Sequence, residues 1–261
     1  MVDTLNPPDP ARSGFWRRAL AFIADMAIVL VPLEIVVAIL FAQTNGMIQG
    51  DFGFTQASCE QLSTLPVGLV TQIDNPNYAA DCRKSLFGFD TARLLVVSRI
   101  EKGDVVTTSV SESFWLDADG NLADRRGYDV SWIALAALLA YLVAMEGWRG
   151  ATLGKKATGI RTIVRTEPLR QGVGVGRALA RRLAMMLGGL GMLPFGIVML
   201  WYRSDAAALA AMSHSTVYWV AAFAGVALVF AWLAWIVVAM IRKRDTVYDR
   251  IAGTAVVRAR S

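Results

Sequence analysis

Histidine and cysteine are nearly absent from this 261-residue sequence, which has one of the first and two of the second. So few imidazoles and thiols exclude a multi-His or multi-Cys metal site, and neither a metal nor another cofactor is expected. Charge is sparse as well, at 18% of residues against 55% hydrophobic, which argues against a large soluble core and for an integral membrane protein. The chain lacks a nucleophile elbow and a phosphate loop. Around Gly150 to Lys156 the Walker spacing fails, because Arg149 stands where the first glycine should be and no Ser or Thr follows the lysine. An enzyme is therefore not expected. The net charge of +5 does not point to nucleic acid, since the basic residues flank apolar runs instead of forming a polar basic domain.

What is present is long apolar runs. Arg17 to Phe41 suffices for a membrane-crossing helix, since about 20 residues at about 1.5 Å each span the hydrocarbon. Acids interrupt it. Asp25 lies seven residues after Arg18, so the two share a helix face with the carboxyl about 10 Å deeper. An unpaired carboxylate there costs at least about 2.5 kcal/mol, so Asp25 must face protein or water, be paired, or hold a proton. Two readings stand for it: a functional carboxylate, or a buried acid that only pins helices together. Glu34 falls on the opposite side of a straight helix and shares a site with Asp25 only if Pro32 bends the chain. The run is too long for the apolar core of a cleaved signal, so it reads as an uncleaved anchor.

Further spans are expected at about 132–148, with Glu146 near the end, at 183–202, rich in glycine and interrupted by Pro194, and at 218–241. Basic residues from Arg149 to Arg182 and the run Arg242 to Arg244 put those segments in the cytoplasm, and Trp and Tyr at span ends form an aromatic belt. The expected architecture is an all-α polytopic body of four transmembrane helices, arranged as two parallel-topology pairs, with both termini cytoplasmic. Residues 1–13 read as a disordered tail. Asp205 and His214 fall in a short external loop, His214 as a surface residue.

Residues 43–130 are polar and acidic and too long for a simple connection, so they read as a small extracytoplasmic folded unit. Arg93 to Arg99 and Val105 to Leu116 read as strands around the turn Glu101 to Asp104. Cys59 and Cys82 both lie here, and an oxidising compartment would join them in a disulfide. Asp117 to Asp124 has a calcium-loop look, but its glycine is misplaced and no glutamate closes it, which favours an Asp-Gly turn.

A short motif occurs twice. Thr152-Leu-Gly-Lys-Lys-Ala-Thr-Gly159 and Thr246-Val-Tyr-Asp-Arg-Ile-Ala-Gly253 each lead into a β-branched run, with Lys155 opposite Asp249 in the alignment. Two such strands at the cytoplasmic face are able to pair across the axis that relates the copies and would bring Lys155 near Asp249.

Together, Arg18 and Ala21 ahead of Asp25, the Thr152 to Gly159 motif, the double arginine Arg181 and Arg182, and the closing Asp249-Arg-Ile-Ala-Gly253-Thr resemble the RDD family. These are bacterial membrane proteins named for an arginine and two aspartates, here Arg18, Asp25 and Asp249. The resemblance covers residues 14–42 and 131–258 and gives Lys155, Gly159, Arg182 and Gly253 as further motif positions; the long acidic loop departs from compact members. It implies a bacterial inner-membrane location and a role in transport, some members being linked to sodium-proton exchange. The expected function is a small transporter or cation/proton exchanger subunit using a buried carboxylate, with Arg18, Asp25, Glu34 and Glu146 as the charged groups. Its partners would be the lipid bilayer and a monovalent cation or proton. The alternative is a non-transporting accessory subunit, docking a membrane complex through its outer loop or assembling as a homo-oligomer.

Overall fold

The computed structural model describes residues 11–66, 68–102, 107–123, 127–201 and 215–259. Asp104, Asp124, Asp205, His214 and residues 1–10 of the expected tail lie outside them. Arg12 and Ser13, at the end of that tail, are bonded to the strand at Thr254–Arg258. Residues Met26–Leu138 form one compact unit, and the described residues before and after them form the other.

The expectation of an all-α body with four spans is overturned. The chain is mixed, 48% helical and 24% strand. Among the described residues three helices are long and apolar enough to cross a membrane: α1 (Phe15–Gln43), α2 (Trp132–Arg149) and a later helix, Thr216–Ile241. The run expected as a span at 183–202 is instead three pieces: α4 (Val175–Met186), a 3-10 segment (Leu187–Met192) and α5 (Leu193–Trp201). Glycine explains the break, because each glycine costs a helix about 1 kcal/mol relative to alanine and Gly188, Gly189 and Gly191 fall within four residues. Pro194 then lies in the first turn of α5, where its missing N–H costs nothing.

Those glycines also allow close approach. The broken run lies antiparallel along α6 (Thr216–Ile241): Ala184 packs with Ile236, Gly191 faces Gly225, and the ring of Phe195 meets that of Tyr218 at 5.8 Å. A Cβ on Gly225 would stand 2.5 Å from the Gly191 carbonyl oxygen.

The two copies of the repeated motif fold alike. Thr152 precedes α3 (Leu153–Ala157) and Thr246 precedes α7 (Val247–Ile251). Gly159 and Gly253 end them with φ of 65° and 64°, the left-handed conformation that glycine adopts without strain. β7 (Ile160–Val164) and β8 (Thr254–Arg258) follow and pair antiparallel. Thr162 faces Val256 at the centre of the ladder, and these two positions are equivalent in the repeat, so the paired copies are related by a local two-fold axis. Arg12 bridges to Val257 on the free side of β8.

In the other unit, a parallel pair of short strands, β1 (Ile48–Gln49) and β6 (Tyr128–Asp129), brackets a four-stranded antiparallel sheet. Its order is β2 (Gln56–Gln61), β3 (Tyr78–Leu86), β4 (Phe89–Lys102) and β5 (Thr107–Trp115). Leu95, Val97 and Leu116 form its core. Cys59 and Cys82 stand directly opposite each other on β2 and β3 and are joined in a disulfide. Asp117 closes a turn, accepting from the Asn121 amide, with the Gly120 amide bonded to the Asp117 carbonyl.

Next to the sheet, residues 50–54 run back along α1. The Gly50 amide bonds the Thr91 carbonyl, the Phe52 amide donates to Glu34 Oε2 at 2.9 Å, and the Phe52 ring packs in a cluster with Leu30 and Val37. Glu34 is fully buried by this return. It lies in a different unit from Asp25.

The glycine contact yields a stability test. Gly225→Ala should destabilise the protein in detergent by about 1–3 kcal/mol through overpacking. Gly196→Ala, inside α5 where a Cβ meets nothing within 4 Å, should not lower the thermal midpoint and should raise it slightly through helix propensity.

Candidate functional site

The first turn of α1 contributes Arg18, the last turns of α2 contribute Glu146, and α3, α4 and α7 contribute Lys155, the pair Arg181 and Arg182, and Asp249. All belong to one unit, and Glu146 and Asp249 are fully buried. A buried carboxylate is tolerable only when paired and hydrogen-bonded. Arg181 supplies much of that pairing, donating from Nε to Asp249 Oδ1 at 2.6 Å and from Nη1 to Glu146 Oε2 at 2.6 Å. Its guanidinium also lies over the Tyr248 ring, 5.3 Å from the centroid.

Each acid then has its own second cation. Arg18 donates Nη1 to Asp249 Oδ2 at 3.0 Å, and Ser13 Oγ and the Val256 carbonyl accept from its other nitrogens. Lys155 Nζ donates to Glu146 Oε1 at 2.8 Å and to Thr162 Oγ1 at 2.6 Å, and Arg182 also bonds Glu146 Oε1. Thus Lys155 and Asp249, aligned in the repeat, do not meet. Arg181 links the carboxylates that each of them serves or forms.

Asp25 sits apart from Arg18. Its Oδ1 accepts from the Tyr141 hydroxyl at 3.0 Å and from the Gly154 amide at 2.8 Å, and its Oδ2 accepts from Thr152 Oγ1 at 2.6 Å. Thr152 in turn accepts from the Lys155 amide as the N-cap of α3. Asp25 therefore ties the start of α3 to α1 using neutral donors. Gly154 makes the approach possible, because a Cβ there would run into the Ala21 carbonyl and the Asp25 carboxyl.

Electrostatics outside the spanning helices follow from this geometry. Burial raises the Asp249 carboxyl, but Arg181, Arg18 and the Thr246 hydroxyl outweigh it and hold Asp249 below the ordinary carboxylate range. Burial lowers Arg181, but Asp249 and Glu146 outweigh it and hold the guanidinium charged. Lys155 goes the other way: burial, reinforced by Arg181 and Arg182, outweighs Glu146 and lowers the ammonium to about 7. A cavity of about 150 Å³ adjoins these groups, lined by Lys155, Arg182, Phe22, Leu142, Met185 and Met240 among others. Among the described residues no cluster of His, Cys, Asp and Glu is arranged to hold a metal.

A model of the RDD family matches residues 106–253, more than half of the sequence and all of the site from Glu146 to Asp249. The chain belongs to the RDD family. Neither a curated protein nor a solved structure matches it. With three apolar helices, this RDD protein is an integral membrane protein whose spanning helices contact the lipid bilayer. Arg18 and Asp25 precede the matched stretch; Arg18 meets Asp249, and Asp25 meets Thr152 and Gly154. Sequence reasoning named Arg181 only as half of a double arginine and did not single out Ser13, Tyr141 or Thr162 as partners. The signal for Arg181 was present in its spacing, since it precedes an apolar run that cannot leave a cation unpaired.

Removing one partner from this network should be costly. Asp249→Asn leaves Arg18 and Arg181 facing one neutral group and should destabilise the RDD protein by about 3–5 kcal/mol. Because the Asp249 pKa is lowered in the folded state, its contribution is complete above the ordinary carboxylate range and disappears as pH falls through the lowered value. Thermal unfolding followed against pH should show a steeper acid loss in the native protein than in Asp249→Asn.

Proposed function

We propose that this RDD protein is a small proton-coupled ion transporter in which the Lys155–Glu146 pair exchanges the proton and the adjoining cavity admits the ion. One observation carries the reading. A buried ammonium bonded to Glu146 and Thr162 lies on the wall of a cavity, and its burial lowers it to about 7. A lysine in that state gains and loses a proton under cellular conditions, and its charge decides whether Glu146 is balanced by two cations or three. Asp25, whose oxygens already accept three bonds, anchors α3 so that Lys155 faces Glu146. In this reading the basic segments Arg149 to Arg182 and Arg242 to Arg244 are cytoplasmic, the disulfide-bearing insertion is extracytoplasmic, and the host membrane is the bacterial inner membrane.

A second reading, a non-transporting accessory subunit, draws on the sheet unit. All six residues of β2 at the sheet edge are exposed, leaving backbone groups open to a partner strand. A stoichiometric complex recovered in mild detergent, with no ion flux by the isolated protein, would favour it.

Purified protein in vesicles separates the two. Sodium or potassium added against a pH gradient should collapse the gradient in vesicles with native protein, and Lys155→Met should abolish that response. Lys155→Arg should keep the fold while removing the dependence on pH between about 6 and 8, because arginine does not deprotonate there. Proton movement indistinguishable from empty vesicles would sink the transport reading.

A further inference from the structure

A second concavity, of about 290 Å³, lies beyond the end of α2 in the same unit, away from the carboxylates described above. Its rim carries Arg149, Lys156, Arg161 and Arg170, with Trp148 and Gln171 between them, and no described carboxylate lines it. Arg149 and Lys156 have no ion pair among the described residues; Arg161 reaches only the Pro168 carbonyl, and Arg170 makes a long exposed pair with Glu167 at 3.4 Å. Four cations gathered around one hollow repel each other unless an anion sits among them.

The hollow is built rather than incidental. The loop after β7 folds back on the end of α2: the Val173 amide bonds the Glu146 carbonyl and the Gly174 amide bonds the Gly147 carbonyl. Gly172, with φ of 74°, presses so close to the Gly147 and Trp148 carbonyls that no side chain fits. Thr162 donates its amide to the Gly150 carbonyl at 2.7 Å, fixing β7 and Arg161 on the opposite wall. These bonds also occupy helix-terminal carbonyls of α2 that would otherwise oppose an anion.

We propose that this basin binds the phosphate of an anionic phospholipid headgroup. Its position favours a lipid over a soluble phosphate. The basin sits at the end of a spanning helix, where headgroups lie, and Trp148 and Leu169 beside it are 70% and 88% exposed, as residues in contact with lipid are. Arginine forks suit phosphate oxygens, and the neighbouring lysine adds a point charge.

The test is lipid retention by full-length protein in detergent, read by native mass spectrometry with phosphatidylglycerol and phosphatidylcholine supplied in equal amounts. Native protein should retain phosphatidylglycerol in preference. The variant Arg149→Gln/Lys156→Gln/Arg161→Gln should lose that retention by at least about tenfold. Arg242→Gln/Lys243→Gln/Arg244→Gln removes the same charge outside the basin and should lose little. If the triple basin variant does not fold, Arg161→Gln alone should still weaken retention several-fold. Equal loss in the two triple variants, or equal retention of the two lipids, overturns the proposal. Saturable binding of inorganic phosphate with no preference between the lipids would assign the basin to a soluble phosphate instead and overturn the lipid reading.

Discussion

One guanidinium, that of Arg181, holds together parts of the RDD unit that are far apart in sequence. It is buried and donates at once to Glu146 of α2 and Asp249 of α7, so it is the cation that the two acids share. Arginine suits this place because its planar fork reaches two acceptors with a charge that burial does not remove. Truncating it would leave Glu146 to Lys155 and Arg182, and Asp249 to Arg18, and would remove the link between α2 and α7.

The buried acids near the spanning helices are accommodated in three distinct ways. Glu146 meets three cations, Asp25 meets two hydroxyls and an amide, and Glu34 meets the amide of Phe52 from the returning segment. The differences follow from what each stretch of chain supplies: a basic segment follows α2, a Thr-initiated helical turn packs on α1, and the insertion begins by doubling back. Asp25 and Glu34, though both on one helix, therefore serve different units.

Much of this was legible in the amino-acid sequence. α1, α2 and α6 fall within two residues of the apolar runs that announce them, and the Thr-to-Gly repeat predicts two turns and two strands that do pair. The disulfide was legible from the only two thiols. The broken helix was not, because mean hydropathy does not distinguish an α-helix from a glycine-rich run with a 3-10 segment. Strands β2 and β3 were missed since their residues are polar and lack a clear alternation, their pairing being fixed by β4 and the disulfide. Which cation served which acid was also invisible, as it depends on helices meeting across more than two hundred residues of sequence, as Arg18 and Asp249 do.

The hairpin between β3 and β4 turns at Phe87, Gly88 and Phe89, and both rings are exposed, by 88% and 71%. Two residues away, Thr91 lies beside Glu34, well inside the apolar length of α1. The tip of this hairpin is therefore apolar although the strands behind it are largely polar. The sheet and the second part of α1 belong to one compact unit, so the insertion is no separate body on a tether. Cut from α1, it would also lose the cover of Phe52 and the acceptor for the Phe52 amide, so an excised insertion would expose apolar surface that the intact chain keeps packed.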